Sequence, residues 1–339
     1  MYKLLLKPIL FLFSPEKAHS IIVGLMVFLR YIPFSGVIFR LIYSYKNETL
    51  ERELFGIKFP NPVGLAAGLD KNGSIYNEMA NMGFGFIEIG SLTPDSQPGN
   101  PKPRCFRLVK DRAIINRMGI NNKGVDFTIK QLSKRKKRTI VGVNIAKQSS
   151  TPNELAAADY ENSFIRLYNY ADYFALNVSC PNVKELTNLQ ETDSLAEIIG
   201  KLVAYRALQD IYKPILLKLS PDLSYEHIDS TLSLIEKSGM DGIIATNTTR
   251  GRNGLSYTED YINSIGDGGL SGAPIFNRSL EVVKYIKSKT NIPIVAVGGI
   301  MGPSEAKQML DAGASLIQIY TGFIYDGPGV VKKILKSIK

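Results

Sequence analysis

The chain has few of the residues on which disulfide frameworks, hydrolase triads and metal centres depend. Its 339 residues include two cysteines, Cys105 and Cys180, and two histidines, His19 and His227. Two cysteines outside any Cys-x-x-Cys pair argue against a disulfide framework, zinc or a cysteine-ligated iron cluster, and they favour a reducing compartment. Two imidazoles are too few for nearly every histidine-built site. We therefore expect no metal.

Long hydrophobic runs are also missing from the first 45 residues, although this segment is rich in Leu, Ile, Phe and Tyr. Its longest uncharged run, residues 18–29, is too short to span about 30 Å of hydrocarbon. Lys7 and Pro8 interrupt the apolar core that a signal peptide needs. Apolar helices with interspersed cations suit a membrane interface. The composition equally suits a hairpin that caps the amino-terminal face of the following domain.

Short runs rich in Val, Ile and Leu recur along the rest of the chain, with helical patterns between them. This alternation is typical of parallel strands buried on both faces. The eight runs cover residues 62–68, 86–90, 140–145, 173–179, 215–220, 242–247, 292–299 and 316–322. Helical patterns include residues 153–169, 194–209, 225–237, 277–289 and 304–310. We predict a (β/α)₈ barrel over residues 46–339, ahead of an open doubly wound sheet, with a small α-helical extension over residues 1–45.

Polar or glycine residues follow each predicted strand. In a barrel these ends share one rim, which carries the chemistry, and phosphate usually binds after strands seven and eight. The residues at these strand ends are Ala66, Ala67, Gly68, Asp70, Lys71, Gly90, Ser91, Asn144, Asn177, Lys218, Thr246, Asn247, Gly298, Gly299, Tyr320, Thr321 and Gly322. A single glycine pair would indicate only a tight turn. Eight polar strand ends together predict a binding site.

Cys180 lies in the sequence Asn177-Val-Ser-Cys-Pro-Asn182, directly after the fourth predicted strand. A thiolate is the reactive form of cysteine, its usual pKa is about 8.5, and neighbouring groups decide how much of it exists near neutrality. Two flanking amides could hold a small polar molecule beside the sulfur. Cys180 is therefore a candidate base, and the alternative is a turn with a half-buried cysteine.

The formal net charge is +10, and residues 134–138 form a run of Lys and Arg. Such a run can bind nucleic acid, but no aromatic residue interrupts it, and it lies between a helix and the third strand. We therefore predict a solvated helix end and no nucleic-acid partner. The basic residues at 332–339 are interpreted as the polar face of the last helix.

Eight segments make the chain resemble the class 2 dihydroorotate dehydrogenases, which are membrane-associated and use quinone. These segments are residues 64–71, 88–93, 99–104, 116–121, 177–182, 245–249, 268–272 and 297–300, and the likeness runs from about Ser14 to the C-terminus. The resemblance implies a barrel that holds one FMN without a covalent bond. It also implies oxidation of dihydroorotate to orotate in pyrimidine synthesis, with electrons passed to a membrane quinone.

The resemblance also assigns site residues, with Cys180 as the base that removes the C5 proton. Orotate is a flat anion edged with carbonyls and ring amides, which side-chain amides and one cation would satisfy. The implied substrate residues are Lys71, Asn116, Asn177, Asn182, Asn247 and Thr248. The implied FMN residues are Ala67, Gly68, Ser91, Asn144, Asn177, Lys218, Thr246, Ser271, Gly272, Gly298, Gly299, Tyr320 and Thr321. Lys218 would stabilise negative charge near flavin N1, and His19, Arg107 and Tyr320 would line a quinone tunnel.

Three departures from the class 2 pattern cluster together: Cys180 replaces the usual Ser, Val183 a Thr, and Ile120 a Phe. Our hypothesis is that a thiol, which is more acidic than an alcohol, needs no hydroxyl and water relay, so that the two neighbours can be apolar. A cysteine base is otherwise typical of the soluble, fumarate-using class. The electron acceptor therefore stays open at this stage, although the N-terminal extension favours quinone.

One further alternative is a Schiff-base, aldolase-like barrel that uses Lys218. A nicotinamide-linked enzyme is disfavoured because no Gly-x-Gly-x-x-Gly follows the first strand and opens a helix. No organelle-targeting presequence is recognisable in the chain. We therefore expect a monomeric, peripheral protein on the cytoplasmic face of a bacterial inner membrane.

Overall fold

A computed structural model describes residues 2–135, 139–178 and 192–338, without the side chains of residues 192 and 193. A closed barrel of eight parallel strands forms its centre. These strands are β3 (Val63–Leu65), β4 (Phe86–Leu92), β7 (Ile140–Ile145), β8 (Tyr173–Leu176), β9 (Ile215–Leu219), β10 (Gly242–Ala245), β12 (Ile294–Val297) and β13 (Leu316–Ile319). Around the barrel they follow the order β10-β12-β13-β3-β4-β7-β8-β9. Seven lie within predicted runs and β4 extends two residues beyond its run, so the predicted barrel is confirmed.

The barrel strands are apolar on both faces because each face is covered. In β4, Ile87 and Ile89 pack outward into the main hydrophobic core, whereas Phe86 packs inward beside Tyr173 of β8. Inward and outward positions alternate because successive side chains of a strand point to opposite sides. One inward position of β4 carries Glu88, which is fully buried.

Helices surround the barrel, and five of them match the predicted helical patterns to within a few residues. They are α4 (Tyr76–Ala80), α5 (Gly124–Leu132), α6 (Ala156–Leu167), α7 (Thr192–Ala207), α8 (Tyr225–Ser238), α9 (Glu259–Ile265), α10 (Phe276–Lys289), α11 (Pro303–Asp311), α12 (Thr321–Asp326) and α13 (Gly329–Ser337). Local signals set the ends of α8. Ser224 accepts a hydrogen bond from the backbone N–H of His227, and Gly239 ends the helix in a left-handed conformation.

Two small antiparallel sheets were not predicted. The hairpin of β1 (Arg52–Leu54) and β2 (Ile57–Phe59) lies at the amino-terminal end of the barrel, where the Phe59 ring packs on Phe86 with centroids 5.2 Å apart. A second sheet joins β5 (Cys105–Leu108), β6 (Ala113–Asn116) and β11 (Gly269–Gly272). Strands of three or four residues carry too little periodicity to be recognised.

Three α-helices precede the barrel: α1 (Lys7–Phe11), α2 (Pro15–Leu29) and α3 (Ser35–Tyr43). The start of α2 follows from its sequence, since Ser14 is the N-cap, Pro15 opens the helix and Glu16 lies in its first turn. Within the described residues, no helix combines the length and apolar character that crossing a membrane requires. The division at residue 45 stays a prediction.

Charged contacts attach α2 to the barrel. Arg30 forms a two-pronged ion pair with Glu78 of α4, with both distances 2.9 Å, and Glu16 pairs with the buried Arg104 at 3.0 Å. His19 contacts the carbonyl of Leu69, which lies in the loop after β3. These contacts place α2 at the carboxyl-terminal end of the barrel. The alternative of a cap over the amino-terminal face is therefore wrong, because the β1–β2 hairpin packs there.

Candidate active site

A cavity of about 820 Å³ opens at the carboxyl ends of the barrel strands and continues beneath α1, α2 and α3. Many of the predicted site residues line it. They are Ala67, Gly68, Lys71, Ser91, Asn116, Asn177, Lys218, Thr246, Asn247, Thr248, Ser271, Gly272, Gly298, Gly299, Tyr320 and Thr321, together with His19 and Arg107 at the helical end. Asn144 lies below this surface, fully buried. The roles of these residues stay predictions, but the fold brings them to one place.

Side-chain hydrogen bonds connect the ends of four barrel strands. The amide nitrogen of Asn247 donates to the side-chain oxygen of Asn177 at 3.2 Å, and the nitrogen of Asn177 donates to Ser91 Oγ at 2.8 Å. Ser91 Oγ in turn donates to Asn144 Oδ1, and Asn144 Nδ2 donates to Glu88 Oε1 at 2.9 Å. Residues far apart in sequence thus form one hydrogen-bonded chain beneath the cavity.

Glu88 ends this chain inside the barrel and was not predicted as a site residue. Its second carboxylate oxygen accepts from Gln318 Nε2 at 2.7 Å and from the hydroxyl of Tyr173 at 3.3 Å. Burial, and then the neighbouring Glu88, raise the pKa of Tyr173 well above its usual value, so this hydroxyl stays a donor. A charged residue inside an otherwise apolar strand was the signal available in the sequence, because buried carboxylates need dedicated partners.

The loop after β3 holds Lys71 at the rim of the cavity. The carboxylate of Asp70 accepts hydrogen bonds from the backbone N–H groups of Ser74 and Ile75, at 2.7 and 2.8 Å. Burial raises the pKa of Asp70. Lys71 Nζ donates to the carbonyl of Gly68 at 2.6 Å. Asp70 therefore shapes the loop that presents the predicted substrate cation, a role the sequence alone did not indicate.

A glycine-rich wall lies on the side of β12 and β13. Gly298 and Gly299 have φ of 121° and 72°, and a Cβ on Gly299 would come within 2.5 Å of the Phe276 backbone. Close packing of bare backbone is typical of phosphate-binding turns. Ser271 Oγ and Thr321 Oγ1 lie 2.9 Å apart on the same wall. Hydroxyls, glycine backbone, buried amides and a cavity of this size together fit a mononucleotide such as FMN.

The helical end of the cavity contains His19 and Arg107. His19 Nε2 lies 2.7 Å from the carbonyl of Leu69, so this nitrogen carries the proton. Burial, and then the charge of Lys71, lower the pKa of His19 and keep it neutral. The Arg107 guanidinium donates to the carbonyl of Phe13 at 2.7 Å and stacks on Phe11, with its central carbon 4.4 Å from the ring centroid. Both side chains thus connect the N-terminal segment to the barrel domain.

Tyr320 lies where the two parts of the cavity meet. A Cβ on Gly68 would be 3.3 Å from its ring, so the ring packs directly on the glycine backbone. Burial raises the pKa of the Tyr320 hydroxyl, which is therefore neutral. The predicted contact of Tyr320 with both the cofactor and the tunnel is compatible with this position.

The candidate base, Cys180, lies outside the described residues, as do Asn182 and Val183. Ile120, the third departure, is buried on the cavity wall with an unusual φ of 53°, a conformation that disfavours β-branched residues. The second thiol, Cys105, also borders the cavity, and burial raises its pKa to about 11. Cys105 is therefore a poor base near neutral pH.

Comparisons with known proteins agree with this architecture. The family described as dihydroorotate dehydrogenase matches residues 49–339. A Coxiella burnetii protein named dihydroorotate dehydrogenase (quinone) is 47% identical over 339 residues, which cover 98% of this chain and 95% of that protein. A protein of the same name from Christiangramia forsetii is 45% identical over 340 residues, covering 100% and 98%.

Solved structures give the same result. The crystal structure of DHODH from Eimeria tenella in complex with ferulenol is similar with a TM-score of 0.86 and 34% identity, covering 95% of this chain and 90% of that one. A ligand-free structure from the same organism matches with the same TM-score and identity. The eight-stranded barrel, its polar carboxyl-terminal rim and these likenesses agree over nearly the whole chain. The chain therefore belongs to the dihydroorotate dehydrogenase family.

Proposed function

We propose that the chain oxidises (S)-dihydroorotate to orotate in pyrimidine biosynthesis and passes the electrons to a membrane quinone. One observation carries the proposal: a single cavity joins the polar rim of the barrel to the apolar space beneath α1, α2 and α3. Non-covalently bound FMN would supply an acceptor for the hydride that leaves C6 of the substrate. It would also supply a carrier of electrons to the quinone. The names of the relatives support the quinone as acceptor.

The polar part of the cavity would bind the substrate. Lys71 offers a positive charge for the substrate carboxylate, and Asn116, Asn177 and Asn247 line the wall beside it. Carboxamides carry both donors and acceptors, so they can match ring N–H and C=O groups in one plane. Thr248 lines the same surface, and Asn182 is assigned to it from the resemblance alone. Lys218, buried inside the barrel, would stabilise negative charge on the bound cofactor.

Proton removal is assigned to the thiolate of Cys180, which would take the proton from C5 of dihydroorotate. Asn177, three residues earlier in the chain, lies at the end of β8 on the cavity wall. The apolar Ile120 supports the idea that a thiol base needs no hydroxyl relay. Family membership argues against the Schiff-base use of Lys218, since that chemistry belongs to a different reaction class.

The helical part of the cavity would admit the quinone. Its lining includes the apolar side chains of Ile22, Val23, Leu25, Met26 and Leu29 on α2. Many apolar side chains of the extension are also exposed on the protein surface; they include Leu4, Leu5, Leu12, Ile21, Phe28, Phe34, Ile38 and Leu41. Exposed apolar groups of this number favour contact with a membrane interface, from which a quinone could enter. We propose a monomer on the cytoplasmic face of a bacterial inner membrane.

The proposal is tested by separating the two half-reactions. The purified protein should be yellow, and under anaerobic conditions dihydroorotate should reduce it. A quinone should then reoxidise it faster than fumarate does. Val23→Trp should slow the reoxidation by quinone about tenfold or more and leave the reduction by dihydroorotate unchanged, because Val23 borders only the helical part of the cavity.

Val37→Trp is the matched control, because Val37 lies on α3 with its side chain exposed and outside the cavity lining. This variant should behave as the parent does in both half-reactions. Faster reoxidation by fumarate than by quinone would overturn the quinone assignment. Colourless protein that does not bind added FMN would overturn the whole proposal.

A further inference from the structure

The amide groups of the site can each adopt two orientations that differ by a half-turn. One orientation shows a ligand the N–H₂ group, and the other shows it the carbonyl oxygen. Asn177 and Asn247 both line the cavity, so their orientation decides which edge of a planar ligand they accept. The geometry of the hydrogen-bonded chain indicates what sets this orientation.

One end of this hydrogen-bonded chain is a backbone N–H, a group that can only donate. The backbone N–H of Thr248 donates to Asn247 Oδ1 at 2.8 Å. The nitrogen of the Asn247 amide is therefore turned toward Asn177 Oδ1, to which it donates at 3.2 Å. The Asn177 nitrogen then points to Ser91 Oγ, at 2.8 Å. Every link from this end runs in one direction.

The other end of the hydrogen-bonded chain is the side chain of Glu88, which accepts. The carboxylate of Glu88 is fully buried and receives Asn144 Nδ2 at 2.9 Å. The Glu88 oxygens also accept from Gln318 Nε2 and from the Tyr173 hydroxyl. Glu88 is thus the acceptor at this end, so Asn144 turns its nitrogen toward Glu88 and its oxygen toward Ser91. Ser91 must then donate to Asn144 and accept from Asn177. Both ends demand the same direction, and that agreement removes the alternative orientations.

The same carboxylate orients a second amide. Gln318 Nε2 donates to Glu88 Oε2 at 2.7 Å, and this turns Gln318 Oε1 away from Glu88. That oxygen is buried and has no hydrogen-bond partner in the described part of the chain, and Gln318 borders the cavity floor. Buried carbonyl oxygens are rarely left without a donor. A bound ligand or a water molecule would therefore supply one.

We propose that Glu88 is a positioning residue, which sets the direction of the hydrogen-bonded chain and thereby the polarity with which the site presents its amides to orotate. The proposal rests on the proposed function. Glu88 itself does not line the cavity. It acts through Asn144 and Ser91 on Asn177. A neutral Gln at this position could donate as well as accept, so Asn144 could reverse and donate to Ser91. The two ends would then no longer demand the same direction, and a reversed Asn177 would compete with the orientation that the Thr248 N–H sets.

The test measures the dissociation constant of orotate on FMN-loaded protein, followed by the change in the flavin absorbance spectrum. Glu88→Gln, which is nearly isosteric, should weaken orotate binding about tenfold or more, since a reversed amide places like groups against the ligand. Tyr173→Phe is the matched control. It removes one donor to Glu88 but leaves the acceptor that Asn144 faces, so orotate should bind within about twofold of the parent.

A double-mutant cycle distinguishes positioning from a general structural effect. Ser91→Ala cuts the chain between Glu88 and Asn177 and should itself weaken orotate binding. Glu88→Gln should then have no further effect in the Ser91→Ala background, because its influence passes through Ser91. The proposal would be overturned if the two changes together weakened orotate binding by the product of their separate factors. Parent-like binding by Glu88→Gln would overturn it as well.

Two further outcomes keep the test decisive. If Glu88→Gln cannot be recovered as folded protein, parent-like orotate binding by Ser91→Ala alone would still refute transmission along the chain. If the parent binds neither FMN nor orotate, the proposed function fails first. If the parent binds both and Glu88→Gln matches it, only the positioning role of Glu88 fails.

Discussion

The close packing of the glycine-rich wall can be tested at Gly298. Its φ is 121°, and an added Cβ would lie 2.3 Å from Ser279 Oγ, 3.0 Å from Ser279 Cβ and 3.1 Å from Thr246 Oγ1. Turning the Ser279 hydroxyl away would break its 2.9 Å hydrogen bond with Thr246 Oγ1 and leave the Cβ contact. Ser279 is fully buried at the start of α10, so the neighbours have little room to move.

Gly298→Ala should therefore lower the free energy of unfolding through two separable causes. Backbone strain at this φ costs about 1–3 kcal/mol, and overpacking against Ser279 adds about 1–3 kcal/mol. The total of about 2–6 kcal/mol is a large part of the roughly 5–15 kcal/mol that stabilises a typical domain. We expect the change to appear as a lower midpoint in urea unfolding and as a lower FMN content per chain.

Ser279→Ala separates the two causes. Alone it should cost about 1 kcal/mol, the value of the lost hydrogen bond with Thr246. Combined with Gly298→Ala it should recover most of the overpacking loss, because the closest atom is gone. The backbone strain and the contacts of 3.0 and 3.1 Å with the Cβ of residue 279 and Thr246 Oγ1 would remain. The reasoning would be refuted if Gly298→Ala unfolded within about 0.5 kcal/mol of the parent, or if the two losses simply added.

Three further predictions concern titrating groups. The lowered pKa of His19 means that the unfolded chain takes up this proton first, so the native state loses stability as pH falls below about 6.5. The thermal midpoint of the parent should thus fall relative to that of His19→Gln between about pH 7.5 and 5.5; a constant difference would contradict this. With a pKa of about 11, Cys105 should be about one-thousandth thiolate at pH 8. In a Cys180→Ala background iodoacetamide should therefore label Cys105 slowly until the protein is unfolded, and rapid labelling of folded protein would contradict the raised pKa. Cys180→Ser should slow the reduction of bound flavin by dihydroorotate near neutral pH and shift the reaction to higher pH, and an equally fast variant would refute the thiol hypothesis.

The barrel was predictable from the sequence because each buried parallel strand must be apolar on both faces. β10 and β12, for example, appear as plain apolar runs, and the length of the segments between strands required helices. The pairing of β11 with β6 escaped prediction, since the two strands lie more than 100 residues apart in the chain, as Leu270 with Ile115 illustrates. Such a distant partner produces no periodic pattern in the local sequence.

The placement of the N-terminal helices also depended on tertiary contacts. Their composition suited a membrane interface and equally a hairpin that caps the amino-terminal face of the barrel. Arg30, Glu16 and His19 find their partners in Glu78, Arg104 and the carbonyl of Leu69, and these lie on the carboxyl-terminal side. The sequence does not show which of these residues meet in space, so it could not decide between the two alternatives.

The sequence by itself determined the strand-and-helix alternation, the polar strand ends and the amphipathic extension, because each is set by residues close together in the chain. Only the tertiary structure decided that the cavity runs from the rim to beneath the helices, and that Glu88, Ser91, Asn144, Asn177 and Asn247 form one directional chain. The physical reason is that hydrogen-bond direction depends on which donor meets which acceptor in space. In the sequence, Glu88 is only one charged residue in an apolar strand.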